Sequence, residues 1–335
     1  MGTLTNNPIT KKIDGGGIQL YLLESGDVFK WMHGDHQINL LQGNLIDGMI
    51  ANIYLRETLP HGYRTTRLMG IHSPSYFQIT ADGAIYEGKI WDVFYQIHLI
   101  IDHNTWFYQI HLSGTNITAS YELFYGQDVG IAHPFGILSN EAYTSQYIDH
   151  QVFETSQGFT LLSRQNQGLT HYLQLGCDFP TVGYATDAMQ FFGLSYKLTH
   201  EPEIYTKKHL PNQNYQYEFA YLALQTETFH LNESTMTVTF YGHSHQEADL
   251  FLTKLLTLPN GFPARRRNKV TLGVAIKSTL SPLHPIAGLP LTKEQFQTKY
   301  PTATLIEREG DEILSGFLPD HTHIVTRAKE LLVER

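Results

Sequence analysis

A chain of 335 residues, 41% hydrophobic and 16% charged, has the composition of a globular protein, which excludes a disordered one, and permits one large all-β domain or two ordinary domains. The formal net charge of −9, without a long basic face, argues against nucleic acid and against an anionic membrane as partners. Cys177 is the only cysteine, so an intrachain disulfide is excluded and a reducing compartment is favoured.

The N-terminal residues lack the apolar stretch that a signal peptide requires. No window of the sequence approaches the roughly 18 consecutive apolar residues of a membrane-spanning helix. We therefore expect a cytoplasmic protein whose residues 1–14 form a flexible N-terminal tail.

Short runs in which apolar and polar residues alternate dominate the rest of the chain, and turn formers such as Asp82-Gly83 separate them. Strands spaced in this way, without amphipathic helices between them, predict an all-β fold, a large antiparallel β-sandwich with few short helices. The predicted strands cover residues 18–23, 27–32, 63–69, 76–80, 91–101, 106–112, 118–125, 159–162, 170–175, 215–225 and 236–241.

The clearest hairpin joins residues 91–101 to residues 106–112 across a predicted turn at 102–105. A one-residue slip would move every side chain to the other face of the sheet, so the register that keeps apolar partners together should win. This register predicts a dry face and a wet or site-lining face that carries His98 and His111. The predicted pairs are Ile101 with Trp106, Leu99 with Tyr108, Ile97 with Ile110, Tyr95 with Leu112, His98 with Gln109, and Gln96 with His111.

Two segments have helix signals. They are residues 245–255 and residues 292–300, and the second has Thr292 as a candidate N-cap and Glu294 in its first turn. Residues 259–267 read as a long exposed connection.

The sequence after residue 300 predicts further strands, at 303–307, 312–317 and 322–332. We expect residues 15–335 to form a single β-sandwich domain, with a peripheral C-terminal segment from about residue 276.

Residues 121–153 are dense in aromatic rings and in small amide, hydroxyl and carboxyl groups. Rings can cover the apolar C–H faces of a pyranose, while amides and carboxylates hydrogen-bond its hydroxyls. A buried, ring-rich sheet would have the same composition, so composition alone leaves both interpretations open.

The run GQDVGIA, followed by SNEAYTSQYIDH, resembles the N-terminal β-sandwich region of the glycoside hydrolase family 94 phosphorylases. Within that family the likeness is to the 1,2-β-oligoglucan phosphorylases and to the related C-terminal region of cyclic β-1,2-glucan synthases. Residues 21–31, 39–56 and 76–95 share it. The resemblance implies a supersandwich of the galactose-mutarotase-like type. Leu138 departs from the pattern, since many family members carry a basic residue there.

The resemblance also implies an activity, the inverting phosphorolysis of a β-glucosidic bond. That reaction needs a carboxylic acid to protonate the leaving oxygen and a cationic pocket for inorganic phosphate, the co-substrate. In the family both lie in an (α/α)6 barrel that follows the sandwich, and no long amphipathic helical series is found in this sequence. We therefore expect the N-terminal part of a β-1,2-glucan phosphorylase, without a catalytic residue or cofactor of its own. It would bind a β-glucan oligosaccharide and assemble with a helical-barrel region or subunit, in a homodimeric complete enzyme.

Carried over from the family, residues 126–143 are the loop expected to reach the edge of the substrate cleft. The alternative is that Asn140 and Glu141 only tie down the loop backbone, as buried amides and carboxylates commonly do. The candidate substrate-binding residues are Ser139, Asn140, Glu141 and Tyr143, near the sugar, and Gln127 and Asp128, which would shape the turn.

Three histidine groups superficially resemble metal ligands. Eighteen histidines scattered through a sheet protein produce such pairs by chance, and no third ligand has a diagnostic spacing, so we expect no metal site. The groups are His33 and His36 with Asp35, His243 with His245, and His321 with His323.

Other reactive residues lack a diagnostic context. A basic group could meet a phosphate or an acidic partner, although such loops are more often solvated. Cys177 is expected to be a half-buried small apolar residue, and three acidic residues could serve as a general acid without any being singled out. The basic group is Arg265, Arg266, Arg267 and Lys269, and the acidic residues are Asp178, Asp187 and Glu203.

Two other functions stay open. A free-standing carbohydrate-binding protein could use Trp91 or Trp106 as a ring platform. A stand-alone mutarotase or epimerase would need a Glu base flanked by acids such as His98 and His111, and the sequence does not select that Glu.

Overall fold

The computed structural model describes residues 10–44, 46–116, 118–167, 171–217, 219–231, 235–247, 252, 254–265, 292–309, 313–317, 319 and 323–327. The chain divides into two compact units, Met1–Ile276 and Lys277–Arg335. Within the described ranges, no helix is long and apolar enough to cross a membrane.

The first unit consists of antiparallel strands, which confirms the all-β fold class. In chain order the strands are β1 (Thr10–Asp14), β2 (Ile18–Leu23), β3 (Val28–His33), β4 (His36–Gln37), β5 (Asn52–Leu59), β6 (Gly62–Arg67), β7 (Tyr76–Thr80), β8 (Gly83–Ile90), β9 (Val93–Asp102), β10 (Thr105–Gly114), β11 (Ser120–Asp128), β12 (Ile148–Thr155), β13 (Gly158–Gln165), β14 (His171–Cys177), β15 (Thr181–Asp187), β16 (Ala220–Thr226), β17 (Phe229–His230) and β18 (Met236–Gln246).

These strands form three sheets. A four-stranded sheet has the order β1-β2-β3-β4, an eight-stranded sheet the order β12-β13-β14-β18-β10-β9-β8-β7, and a six-stranded sheet the order β15-β16-β11-β5-β6, with β17 paired to β11. Strand β1 includes residues that were expected in the N-terminal tail. It forms because Ile13 alternates inward, pairs with Leu20 and is buried.

The register predicted for the β9–β10 hairpin is confirmed at all six pairs. The predicted four-residue turn is too long, because Asp102 and Thr105 also pair and leave only His103 and Asn104 between the strands. His103 adopts a positive φ of 52°, a conformation in which histidine is among the tolerated side chains.

The core lies between the sheets and is built around large rings. Trp106 of β10 stacks on Trp31 of the four-stranded sheet with ring centroids 4.8 Å apart, and Tyr108 meets Tyr125 of β11 at 5.3 Å. Gly242 of β18 lies opposite Trp106, where a Cβ atom would collide with the indole ring. The ring therefore fits only because its neighbour has no side chain.

The face predicted to be wet is largely covered. His98 and Gln109 are only 3% and 1% exposed. Residues 254–265 cross this outer face of the eight-stranded sheet, where Leu256 exchanges two hydrogen bonds with the Gln174 side chain and Phe262 packs 5.5 Å from the Tyr241 ring. The sheet thus has a second buried layer, which alternation within single strands does not reveal.

Four short α-helices occur in the described part of the first unit: α1 (Pro134–Ser139), α2 (Glu141–Gln146), α3 (Ala188–Phe192) and α4 (Tyr196–Thr199). The helix predicted at residues 245–255 is wrong at its start, since His245 and Gln246 end strand β18 and pair with β14. Ladder hydrogen bonds to a neighbouring strand outweigh the local helical pattern there. Residues 248–251 and 253 lie outside the described residues.

The second unit contains helix α5 (Lys293–Lys299) and an antiparallel sheet of β19 (Thr304–Glu309), β20 (Ile313–Phe317) and β21 (His323–Arg327). The predicted N-cap is confirmed. The Thr292 hydroxyl accepts a hydrogen bond from the Gln295 backbone N–H at 3.2 Å, and the Gln295 side chain accepts one in return from the Thr292 N–H at 2.8 Å.

Candidate functional site

The candidate segment begins inside the core. Gln127 lies near the end of β11, fully buried, and its Oε1 accepts a hydrogen bond of 3.0 Å from the Tyr125 hydroxyl. Its Nε2 donates to the Asp128 carbonyl oxygen at 3.0 Å. The Gln127 side chain thus links the ring core to the strand end.

Asp128 is also buried, and its Oδ2 accepts a 2.6 Å hydrogen bond from the Leu41 backbone N–H. Burial raises the pKa of this carboxyl to about 6, against the lowering effect of the backbone N–H of Leu41. The contact ties residue 41 to the start of the candidate segment. Asp128 therefore positions backbone rather than facing solvent.

The segment predicted as a loop contains two helices. Helix α1 has Pro134 in its first turn, and the His133 side chain caps it by accepting from the Phe135 N–H at 3.2 Å. Asn140 caps α2 by accepting from the Tyr143 N–H at 2.9 Å. This is the backbone-fixing role that the alternative interpretation assigned to Asn140.

The remaining candidates lie on the surface of this helix pair. Ser139 is exposed and its hydroxyl donates to the Phe135 carbonyl oxygen at 2.7 Å, while Glu141 is exposed in the first turn of α2. Tyr143 is half exposed and its ring lies 4.8 Å from that of Tyr147. The surface therefore offers a hydroxyl, a carboxylate and a ring.

Sequence reasoning missed the apolar part of the same surface. Phe135 and Leu138 are 75% and 66% exposed, on the helix that precedes Tyr143. We call Phe135, Leu138, Ser139, Glu141 and Tyr143 the α1–α2 surface. Exposed apolar side chains grouped beside polar ones are typical of a surface that contacts a ligand or another protein region.

The histidines flagged in the sequence do come together in part. The His33 Nδ1 lies 2.9 Å from the hydroxyl of Ser244, the residue that separates His243 from His245 in the sequence. The His36 ring stacks on that of His171, with the ring centroids 3.8 Å apart. Within the described ranges, however, no group of three His, Cys, Asp or Glu side chains has the geometry of a metal site. His323 lies in β21 of the other unit, and His321 is outside the described residues.

The three candidate general acids have structural contacts. Asp178 accepts a 2.6 Å hydrogen bond from the Thr239 N–H, Asp187 caps α3, and Glu203 pairs with Lys207 at 3.1 Å. Cys177 is partly buried, and burial raises the pKa of its thiol well above the usual value. Of the basic group only Arg265 is described, and it is exposed, while Arg266, Arg267 and Lys269 lie outside the described residues.

Both tryptophans that the sequence offered as sugar platforms contact other side chains of the chain. Trp106 is fully buried and donates its indole N–H to the Tyr125 hydroxyl at 2.9 Å, so its use as a sugar platform is wrong. Trp91 is partly exposed, and the Arg64 guanidinium lies 4.4 Å from its ring centroid.

A cavity of about 400 Å³ opens on the outer face of the eight-stranded sheet, at the β7–β8–β9–β10 end. Its lining includes Tyr76, Glu87, Lys89, Phe94, Gln96 and His111. Sequence analysis did not single out Glu87, because no motif surrounds it. Its position opposite Gln96 follows from the pairing of β8 with β9.

Comparisons with known proteins agree with the sequence resemblance. Residues 21–242 match the family described as the SOGP N-terminal domain. The chain is 30% identical over 333 residues to a 1,2-beta-oligoglucan phosphorylase of Listeria innocua serovar 6a, in an alignment that covers 97% of this chain and 30% of the relative. The chain thus spans less than a third of that relative's length. The predicted resemblance to 1,2-β-oligoglucan phosphorylases is confirmed.

Two solved structures are similar to this chain at low identity. A putative aldose 1-epimerase from Escherichia coli K12 is 8% identical with a TM-score of 0.42, covering 71% of this chain and 99% of that one. A putative kojibiose phosphorylase from the human microbiome is 10% identical with a TM-score of 0.32, covering 70% of this chain and 30% of that one.

Proposed function

Because the chain belongs to the SOGP N-terminal domain family, we propose that it is the N-terminal carbohydrate-binding and assembly module of a β-1,2-glucan phosphorylase. The observation that carries the proposal is the alignment, which takes in 97% of this chain but only 30% of the phosphorylase it resembles. Residues 1–335 would be inactive without the helical barrel of the family. Inorganic phosphate and the β-glucan oligosaccharide react in the barrel, in a homodimeric, cytoplasmic enzyme.

The α1–α2 surface supports the assembly role. Phe135 and Leu138 present apolar area that a docking partner would remove from water, at about 25 cal/mol per Å² buried. Ser139, Glu141 and Tyr143 adjoin them and would complete the edge of the substrate cleft by hydrogen bonding and ring contact with a sugar. Asn140, Gln127 and Asp128 act on that cleft by fixing its backbone.

The test separates the module from the barrel. This chain and the helical-barrel polypeptide of the 1,2-beta-oligoglucan phosphorylase are purified separately, then assayed alone and mixed, with β-1,2-linked glucose oligomers and inorganic phosphate. We expect glucose 1-phosphate only from the mixture, together with co-elution of the two polypeptides. Phosphate-dependent sugar release by this chain alone, or failure of the two to associate, would contradict the proposal.

A further inference from the structure

We propose that the cavity on the outer face of the eight-stranded sheet is a second carbohydrate-binding cleft, separate from the α1–α2 surface, for a short neutral glucan. The choice of glucan as the ligand rests on the proposed function. The cleft itself rests on the side chains that strand pairing aligns there, and we call it the outer cleft.

A row of polar side chains crosses four strands at the outer cleft. Glu87 of β8 pairs with Gln96 of β9, Gln96 with His111 of β10, and His111 with Thr237 of β18. All four lie on the face opposite the core, because they alternate with the buried apolar residues of their strands. Glu87, Gln96 and His111 line the cavity, whereas Thr237 is buried beside them. Neighbouring strands are about 4.8 Å apart, so the lining part of the row is roughly 10 Å long, which suits a short oligosaccharide better than a single sugar.

Hydrogen bonds hold this row in one arrangement. The Gln96 Nε2 donates to Glu87 Oε2 at 2.7 Å, and the His111 Nδ1 lies 3.0 Å from the Thr237 hydroxyl. Gln96 Oε1 lies 2.6 Å from His98 Nε2, so the amide is fixed on both sides. Glu87 and Gln96 are nevertheless only half-buried and line the cavity. A pre-oriented carboxylate and amide are well suited to hydroxyl groups, which both donate and accept.

Two rings border the polar row. Phe94 is 58% exposed on the same face of β9 as Gln96, and Tyr76 is 39% exposed at the end of the neighbouring β7–β8 hairpin. An exposed phenyl ring on a strand is ordinary when it stands alone. Beside a cavity and a row of hydrogen-bonding groups, it supplies the flat apolar surface that the C–H face of a pyranose covers.

The charges at the outer cleft favour a neutral ligand. Glu87 and Lys89 project from the same side of β8 and carry opposite charges, and the Lys89 ammonium lies 4.9 Å from the Phe94 ring centroid. Both residues line the cavity and their charges offset each other, so neither an anion nor a cation gains a clear advantage. Hydroxyl groups can use both side chains.

The experiment is calorimetric titration of the whole chain with β-1,2-linked glucose oligomers. We expect millimolar or tighter binding, weakened at least about tenfold by Phe94→Ala, the order of magnitude of one ring contact. Glu87→Gln, which keeps the shape of the side chain but removes its charge, should weaken binding several-fold. Tyr217→Ala removes a ring of similar exposure, 51% against 58% for Phe94, which does not line the outer cleft, and should leave the affinity unchanged. Thermal unfolding of each variant shows that it is folded.

Three results would overturn the proposal. The first is that the chain does not bind the oligomers at millimolar concentration. The second is that Phe94→Ala leaves the binding intact. The third is that Tyr143→Ala abolishes the binding while Phe94→Ala does not. The last result would assign the sugar to the α1–α2 surface and leave the proposed function standing. Conversely, failure to restore phosphorolysis with the barrel, alongside Phe94-dependent binding, would contradict the assembly role alone.

Discussion

The Trp106 indole N–H donates a 2.9 Å hydrogen bond to the Tyr125 hydroxyl, joining the eight-stranded sheet to the six-stranded sheet through the middle of the core. The same hydroxyl donates onward to Gln127 at 3.0 Å. One phenol oxygen therefore connects the packing of the two sheets to the strand end from which the candidate segment leaves.

Tyr125→Phe tests this connection. The change keeps the ring but leaves the buried Trp106 N–H and the Gln127 Oε1 each short of a partner, at an expected cost of about 2 kcal/mol in the free energy of unfolding. Urea denaturation measures it. Tyr217→Phe, at an exposed position, should change the free energy by less than about 0.5 kcal/mol. Equal stability of the two variants would show that the hydrogen bonds contribute nothing net.

Asn140→Ala tests whether Asn140 fixes the backbone or contacts sugar. Loss of the cap on α2 should destabilise the chain by about 1 kcal/mol, and Asn140→Asp, which can still accept from the Tyr143 N–H, should restore most of it. If Asn140 only positions backbone, Asn140→Asp should also restore the phosphorolysis of the module mixed with the barrel. A stable but inactive Asn140→Asp variant would indicate direct sugar contact.

The clustered histidines predict a loss of stability in acid. Burial and the neighbouring His36 lower the pKa of His171 to about 4. Burial and the neighbouring His245 lower the pKa of His243 to about 4 as well. In the unfolded chain these side chains take up protons near pH 6.5, so the unfolded state binds more protons and stability falls as the pH drops from about 6.5 to about 4.

The histidine effect is measured by urea denaturation across that pH range. The titratable groups that face the pair are His33, His36, His245, Asp35 and Glu247. His171→Gln should make the decline shallower, whereas His61→Gln, at an exposed position, should leave it unchanged. Identical pH profiles for the wild type and His171→Gln would refute this origin.

Phe135→Asp tests the α1–α2 surface as a docking surface. A charge in place of an apolar ring that is 75% exposed should leave the isolated chain as stable as before, yet weaken its association with the helical barrel at least about tenfold. Analytical ultracentrifugation of the mixture measures the association. Leu194→Asp, at another exposed apolar residue, is the matched control and should associate normally.

The sequence predicts strands and pairing well where the determinants are local. The β9–β10 register follows from two alternating runs and a short turn, since a one-residue slip would mix apolar and polar partners. The burial of Gln109 does not follow, because its side chain donates to the carbonyl oxygen of Ala264, more than 140 positions away along the chain.

The candidate site was predictable only in part. The capping residues His133 and Asn140 precede helices of six residues each, too short to produce a helical period of apolar residues. The place of Glu87 opposite Gln96 depends on the pairing of β8 with β9, which no single run of residues encodes. The signal that could have found it is the hairpin rule applied to the two-residue turn of Trp91 and Asp92, which joins β8 to β9.

The contact between Trp106 and Gly242 should constrain how these two positions vary among homologues. The two positions are far apart in the chain but adjacent in space, and the indole occupies the room that any side chain at 242 would need. Homologues should therefore exchange these two residues in concert, with a bulkier residue at 242 appearing only where the ring at 106 has been replaced by a smaller one.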